Sequence, residues 1–310
     1  MTKKIVIAGA TGRVGSCILS AFLGTEKSAF DVSILSRKSS KPPKLDERVH
    51  VIPVDYDNHD DLVKVLKGQD ILISCIASAQ NVETDYKLLD AAIEAKVSRF
   101  FPNEWSLDCM HPAVKETAVD TRFGLKIVFA EKLEEYARKG KIEYTAIVTG
   151  QFVDEELVDG WLGPVLKDRT VTYYDGGKYK VTGCSLRFVG AAVVKMASKS
   201  GGDVKNKRIR IAEMEYTGKQ VASLLGKVSG DEFTVKEDIT SEESLKKCKA
   251  ELEAGEELKA YFTAIKRLNF DGSGAGCFID GLKWSDLPRK SLEEQVRSVV
   301  DAVKEGRNVS

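Results

Sequence analysis

Through the first 150 residues, unbroken apolar runs alternate with stretches in which apolar residues return every three or four positions. Residues 4–8 (KIVIA) form one such run, the pattern of a strand covered on both faces. Residues 13–23 follow, with Val14, Ile18, Ala21 and Phe22 on one helical face. The same reading predicts strands over 32–36, 49–54, 70–75, 98–101 and 142–148, and helices over 60–67, 84–96 and 123–139. Pro42 and Pro43 lie in a loop between the second and third strands. Strands alternating with helices imply the α/β class, here a Rossmann-type doubly wound parallel sheet.

Beyond Thr149-Gly150 the rhythm changes. Residues 170–174 and 178–182 flank Asp175-Gly176-Gly177, which is hairpin chemistry. Helices are expected over 188–198, 218–227 and 292–304, strands over 208–212 and 233–236, and a long charged amphipathic stretch over 242–267. The expected organisation is a Rossmann domain at 1–154 and a smaller α+β domain at 155–310. Segments near 184–200 should return to the sheet.

Composition narrows the function. With 43% hydrophobic and 30% charged residues over 310 positions, the chain is rich enough in core residues to exclude intrinsic disorder. Lys plus Arg and Asp plus Glu each number 47, so the basic excess of a nucleic-acid binder is missing, and no nucleic-acid partner is expected. The six cysteines are scattered without a C-x-x-C pair, which excludes a zinc ribbon or thioredoxin motif and suggests buried thiols in a reducing compartment. His50, His59 and His111 share no metal-ligand spacing, and no metal is expected. No leader-like apolar run follows Met1, and the longest apolar stretch, 71–79, is too short for a bilayer. The expectation is a cytoplasmic protein without a membrane partner, either a monomer or a homodimer. The Asn308-Val309-Ser310 sequon then has no role.

Gly9-Ala10-Thr11-Gly12-Arg13-Val14-Gly15 joins the first strand to the first helix, its glycines three apart. The first permits a tight turn, the second lets backbone approach a pyrophosphate, and the third allows close helix–strand packing. The helix N-terminus adds N–H donors and a favourable dipole. Gly9, Thr11, Gly12, Arg13, Val14 and Gly15 are therefore candidate cofactor contacts. NAD sites usually place an acid about 20 residues further on, to hold the ribose 2′-OH. Here the second strand ends Ser36-Arg37-Lys38-Ser39-Ser40, without an acid. Ser36, Arg37 and Lys38 would meet a 2′-phosphate, so NADP(H) is the expected cofactor. Asp55 should lie near the adenine, and Ala77, Ser78, Ala79 and Gln80 on the nicotinamide side.

Together with Arg37 and Gln80, three motifs make the chain recognisable. They are the GATGRVG loop, Arg99-Phe100-Phe101-Pro102-Asn103-Glu104-Trp105, and Tyr144-Thr145-Ala146-Ile147-Val148-Thr149-Gly150-Gln151-Phe152. The chain resembles the isoflavone reductase-like and NmrA-like branch of the atypical short-chain dehydrogenase/reductases, fungal members above all. The likeness is clear to about residue 155 and fainter beyond. It implies an NADPH-dependent reductase with Pro102, Asn103, Gly150 and Phe152 among its cofactor contacts. Plant members usually carry phenylalanine and glycine after the glutamate of an F-P-S-E segment. Here Trp105-Ser106 stands there and Asn103 replaces the serine; because this segment sits beside the nicotinamide in the family, the resemblance implies substrates other than the plant ones.

Related reductases use Tyr-x-x-x-Lys on a helix. The match here, Tyr174 to Lys178, spans the expected hairpin and is rejected. The isoflavone reductase-like branch instead relies on a lysine early in the helix before the Tyr-Thr segment. Lys126 holds that place, with Lys132 the nearest rival. A desolvated lysine beside the oxidised nicotinamide could do general acid–base work, as well as contact the cofactor.

The remaining features carry less. His111 could reach the site, although a loop role suits it. Trp105, Phe152 and Trp161 could stack on an aromatic substrate or simply belong to the core. The basic run 205–210 reads as a solvated turn, and the glycine-rich stretch 271–276 as a linker or a loop over the site. Two functions compete. One is reduction of a small aromatic, phenylpropanoid-like or secondary metabolite, with Lys126 as general acid–base. The other is a non-catalytic NADP(H) sensor that binds a transcription factor, as NmrA-type proteins do.

Overall fold

A computed structural model describes residues 2–41, 44–76, 82–118, 120–161, 163–284, 286–307 and 309. The chain begins β1 (Lys3–Ala8), α1 (Arg13–Leu23), β2 (Phe30–Arg37), β3 (Val49–Val54), α2 (His59–Leu66) and β4 (Ile71–Ser74). It continues through α3 (Glu83–Glu94), β5 (Arg99–Phe101), α4 (Pro112–Thr117), α5 (Phe123–Arg138) and β6 (Glu143–Val148). Next come β7 (Gln151–Phe152), α6 (Val153–Asp159), β8 (Pro164–Val165), β9 (Thr170–Tyr174), β10 (Lys180–Cys184) and α7 (Leu186–Ser198). The last elements are β11 (Lys207–Arg210), β12 (Met214–Thr217), α8 (Gly218–Ser229), β13 (Thr234–Ile239), α9 (Ser241–Glu253), α10 (Glu257–Phe270) and α11 (Leu292–Lys304). No helix among the described residues is long and apolar enough to cross a membrane.

Two compact units interleave along the chain. The first comprises Met1–Trp105, Leu125–Ile147 and Val189–Ile209, the second Ser106–Gly124, Val148–Phe188 and Arg210–Ser310. Residues 189–209, downstream of the expected boundary at 154, thus pack within the first unit, and 106–124, upstream of it, within the second.

A seven-stranded parallel sheet ordered β3-β2-β1-β4-β5-β6-β11 forms the first unit's centre. The order reverses between β1 and β4, the point at which doubly wound sheets open a crevice at their carboxyl ends. Ile5, Val6, Ile7 and Ala8 are fully buried, as the unbroken apolar run requires. One core joins Val6, Leu72 and Phe100 of the sheet to Leu62 and Leu66 of α2, Leu88 and Leu89 of α3, and Phe129 and Leu133 of α5. Each such fully buried side chain contributes about 1.5–3 kcal/mol. Helices α1 and α7 meet at Gly190, where a Cβ would stand 2.9 Å from both the Ala21 methyl and the Cys17 carbonyl oxygen.

The second unit holds two three-stranded sheets, β12-β10-β7 and β13-β9-β8. The expected hairpin across 170–182 does not form. β9 pairs with β13 and β8, while β10 pairs with β12 and β7. Asp175, Gly176 and Gly177 all have positive φ, one more than a two-residue hairpin turn uses. Asp238 accepts from the Gly176 N–H and Asp175 from the Ser241 N–H, which draws the turn toward β13. The long stretch 242–267 is two helices, broken at Gly255 (φ +74°). Residues 271–276 are tied down at both ends: Asp271 is paired with Arg267 at 3.3 Å, and the Gly276 carbonyl accepts from the Thr182 N–H at 2.9 Å. Three helices start with reciprocal caps, Thr217/Gln220, Thr240/Glu243 and Ser291/Glu294.

Candidate active site

The glycine turn after β1 is built from backbone constraints. Gly9 has φ +78°, and a Cβ there would stand 2.6 Å from the Cys75 carbonyl oxygen. At Gly15 a Cβ would lie 2.2 Å from the Gly9 carbonyl oxygen, so only glycine lets α1 close onto the turn. Gly12 caps α1 without a side-chain acceptor, and the helix's first turn holds no acid. Its leading N–H groups can therefore serve an anion.

These residues open onto a cavity of about 840 Å3 within the first unit. Gly9, Thr11, Gly12, Arg13 and Val14 form one wall, and Ser36, Arg37, Ser40 and Lys41 the end beyond β2. Ile34 and Leu35 of β2, with Tyr56, Asp57, Cys75, Ile76, Thr84, Asn103 and Trp105, complete it. Of the cofactor contacts expected from sequence, eight are thus brought together: Gly9, Thr11, Gly12, Arg13, Val14, Ser36, Arg37 and Asn103. Gly15 lies behind the turn, and Pro102 is buried at the end of β5 outside the lining. Lys126 is not in the lining either, but bonds to a residue that is. Gly150 and Phe152 belong to the second unit. Ala77, Ser78, Ala79 and Gln80 lie outside the described residues.

Two expectations at the cavity's ribose end change. Lys38 Nζ is 2.7 Å from an Asp61 carboxylate oxygen and is absent from the lining, where Lys41 and Ser40 stand instead. Asp55 spends its backbone N–H on Asp61 and a carboxylate oxygen on the Asp57 N–H, so it shapes the turn while Tyr56 and Asp57 face the cavity. Burial raises the Tyr56 phenol pKa, and the nearby Arg37 charge opposes that rise.

Lys126 differs from its rival. Only 8% exposed, it donates from Nζ to the Asn103 carbonyl at 3.1 Å. The Lys132 side chain is 40% exposed, ion-paired to Glu135 at 3.4 Å and 4.6 Å above the Tyr136 ring. Asn103 also donates from its side-chain amide to the Ile76 carbonyl. Trp105 donates from Nε1 to the Ser74 carbonyl at 2.9 Å, while the Ser74 hydroxyl donates to Asp85 Oδ1 at 2.6 Å. Burial pushes the Asp85 carboxyl up to about 6. The Ser74 hydrogen bond and the Lys126 charge pull it down, and the Glu104 charge pushes it further up. Glu104, 2% exposed, is paired with Arg208 at 3.0 Å.

Sequence reading missed Asp85, Ser74 and Arg208. Residues 205–210 are not a solvated turn. Lys205 pairs with Glu143, Arg208 with buried Glu104, and Arg210 with buried Asp108 at 3.2 Å. In the second unit, the His111 ring nitrogen accepts from the Ala113 N–H and caps α4. Trp161 packs edge-on against Phe262, with Lys266 4.6 Å over its ring. Tyr174 ends a strand and stacks on Phe270, so Tyr174 and Lys178 share no helical face. No group of three His, Cys, Asp or Glu side chains among the described residues could hold a metal ion.

Comparison with known proteins follows the same lines. The sequence model of the NmrA-like family matches residues 1–303. Oxidoreductase aprR of Aspergillus flavus is 27% identical, over 97% of this chain and 99% of its own length. Among solved structures, an isoflavone reductase superposes with a TM-score of 0.73 at 21% identity, covering 96% of this chain and 99% of that one. AtPrR2 with NADP+ and (+)pinoresinol gives 0.72 at 17% identity with the same coverage. At these identities the structures show a shared fold.

Proposed function

The chain belongs to the NmrA-like family, and from that premise we propose that it is an NADPH-dependent reductase of a small aromatic, phenylpropanoid-like or secondary metabolite, with Lys126 as general acid–base. One observation carries the reading. Lys126 keeps its ammonium out of solvent and bonded to the carbonyl of Asn103, a residue that lines the cavity. Helical lysines ordinarily hold their charge in water.

The residues present suit the cofactor. The turn Gly9–Gly15 and the open start of α1 would hold the pyrophosphate, and Ser36, Arg37, Ser40 and Lys41 the 2′-phosphate. NADPH, when bound, supplies the hydride. Lys126 would deliver or take up the proton at a substrate oxygen. An aromatic substrate is supported by Trp105 in the lining and by the (+)pinoresinol bound to a protein of the same fold.

The test begins with NADPH oxidation screened against quinones, enones and phenolic ethers. With a substrate in hand, Lys126→Ala should lower kcat by about 10²- to 10⁴-fold, the usual loss for a general acid–base group. NADPH affinity by calorimetry should stay within about threefold, well under 1.4 kcal/mol. Lys132→Ala should turn over normally. Full activity of Lys126→Ala at saturating cofactor and substrate would refute the role. Tight NADPH binding without turnover of any compound would favour the sensor.

A further inference from the structure

Within the buried polar cluster behind the cavity wall of the first unit lies an ion pair that the proposed reaction does not use. Glu104 follows β5, and Arg208 sits on β11, two strands further along the sheet beyond β6. The guanidinium donates to the carboxylate at 3.0 Å, with 14% of the Arg208 side chain and 3% of the Glu104 side chain exposed. The approach to β11 is itself pinned to β6. The Asn206 side-chain oxygen accepts from the Tyr144 N–H at 3.1 Å, and the Val204 carbonyl from the Thr145 hydroxyl at 2.8 Å.

The neighbours of Glu104 face the cavity, while Glu104 is absent from its lining. Asn103 and Trp105 both reach the end of β4, Asn103 through its amide to the Ile76 carbonyl and Trp105 through Nε1 to the Ser74 carbonyl at 2.9 Å. With side chains alternating in this way, a hold on Glu104 from behind sets where its two neighbours stand in front. The Asn103 carbonyl also receives Lys126 Nζ at 3.1 Å. One short segment therefore carries two lining side chains and the acceptor of the proposed acid–base group. Its place in the sheet gives this weight. β5 lies three strands from β2, about 14 Å away at the usual strand spacing, with the glycine turn after β1 between them. With the 2′-phosphate at Arg37, the segment stands at the end of the cavity where the nicotinamide half of the cofactor would lie.

We infer that Glu104 and Arg208 are positioning residues: their pair holds the Asn103–Trp105 segment, and with it the acceptor of Lys126, in place at the reacting end of the cavity. This rests on the reading of the cavity as an NADPH site with Lys126 as its acid–base group. Burying two charges costs solvation that their attraction barely repays, and neutral residues of similar size stabilise a fold as well or better. If the pair served stability alone, a neutral replacement of both partners would be silent. As a positioning pair it is not.

The test separates position from stability. Incorporated fluorotryptophan gives the protein without ligands one fluorine resonance each for Trp105, Trp161 and Trp284, and Trp105→Phe identifies the first. Arg208→Met should shift the Trp105 resonance and leave the other two in place. Where that variant folds poorly, Glu104→Gln combined with Arg208→Met serves, because the buried carboxylate is removed along with the guanidinium. This double variant should melt near the parent's temperature, yet show the same shifted Trp105 resonance. With a substrate in hand, its kcat should fall by about 10²-fold, the loss that a misplacement of about 1 Å brings. Adenosine 2′,5′-bisphosphate, which lacks the nicotinamide, should bind within about threefold of the parent by calorimetry. Arg208→Lys, which keeps the charge, should return the resonance toward its parental position and restore most of kcat. A parental Trp105 resonance or parental kcat in the folded double variant overturns the inference, as does an equal loss of bisphosphate binding. Full turnover by Lys126→Ala overturns the underlying reading instead, and the Trp105 resonance without ligands still judges the pair.

Discussion

The selection of NADPH over NADH should rest on Arg37 and Lys41, not on Lys38. Arg37 ends β2, lines the cavity and makes no ion pair among the described residues, so its guanidinium can serve a 2′-phosphate. A charge-assisted hydrogen bond of that kind is worth about 1.5–3 kcal/mol, or about 10- to 150-fold in affinity. Lys38 is committed elsewhere: its Nζ lies 2.7 Å from Asp61, and Asp61 is itself fixed by the Asp55 N–H at 2.8 Å. The Lys38 side chain is 55% exposed, and such a surface pair contributes about 0–1 kcal/mol. Calorimetric titration of Arg37→Ala should therefore show NADPH binding weakened at least about tenfold with NADH unchanged. Lys41→Ala should follow with a smaller loss, and Lys38→Ala should lie within about threefold of the parent for both nucleotides. Arg37→Asp should go further and favour NADH, because an acid there can take the free 2′-OH. Equal affinity of the parent for both nucleotides, or a tenfold loss confined to Lys38→Ala, would refute the assignment.

Two further perturbations test the framework. Gly15→Ala should lower the melting temperature and abolish NADPH binding, since its Cβ would lie 2.2 Å from the Gly9 carbonyl oxygen and overpacking costs about 1–3 kcal/mol. Gly12→Ala, with 3.3 Å to the same oxygen, should keep the parent's melting temperature. Asp154 accepts from the Leu186 N–H at the start of α7, and burial raises its carboxyl from 3.8 to about 6. The folded state then binds its proton more tightly than the unfolded one, so this group's stabilising contribution is complete below about pH 4 and lost as pH rises through about 6. Asp154→Asn should flatten that slope and stand higher than the parent at pH 7, by about 3 kcal/mol or less. An unchanged slope in thermal melts from pH 4 to pH 7 would exclude it.

Legibility from sequence followed the length scale of each constraint. Helix α1 and strand β3 fall on the residues expected, because the strand's apolar pattern and the glycine turn before the helix are local. The turn itself was readable since its requirement is backbone space, which glycine alone satisfies at Gly9 and Gly15. The supposed hairpin failed for the opposite reason. Both candidate strands exist, but β9 takes its partner β13 from far downstream, and no local pattern announces that pairing. The break at Gly255 was visible in principle as a helix stop, and the charged periodicity on either side concealed it.

The polar cluster lay beyond sequence reading for a deeper reason. Ser74, Asp85, Glu104, Lys126 and Arg208 come from five separate segments, and each alone looks like an ordinary residue of its element. A sequence displays the sign of a charge but not its counter-charge. The run 205–210 therefore read as solvated, although Arg208 neutralises the 2%-exposed Glu104. That neutralisation bears on Asp85, because the Glu104 charge pushes its carboxyl up while Arg208 offsets Glu104. Arg208→Met would remove the Arg208 charge from buried Glu104, at a cost of about 3–5 kcal/mol for a broken buried pair. It should raise the Asp85 midpoint above about 6 where the protein still folds. The Asp85 carboxyl thus responds, through Glu104, to a strand some 120 residues away in sequence, a dependence that only the folded sheet makes visible.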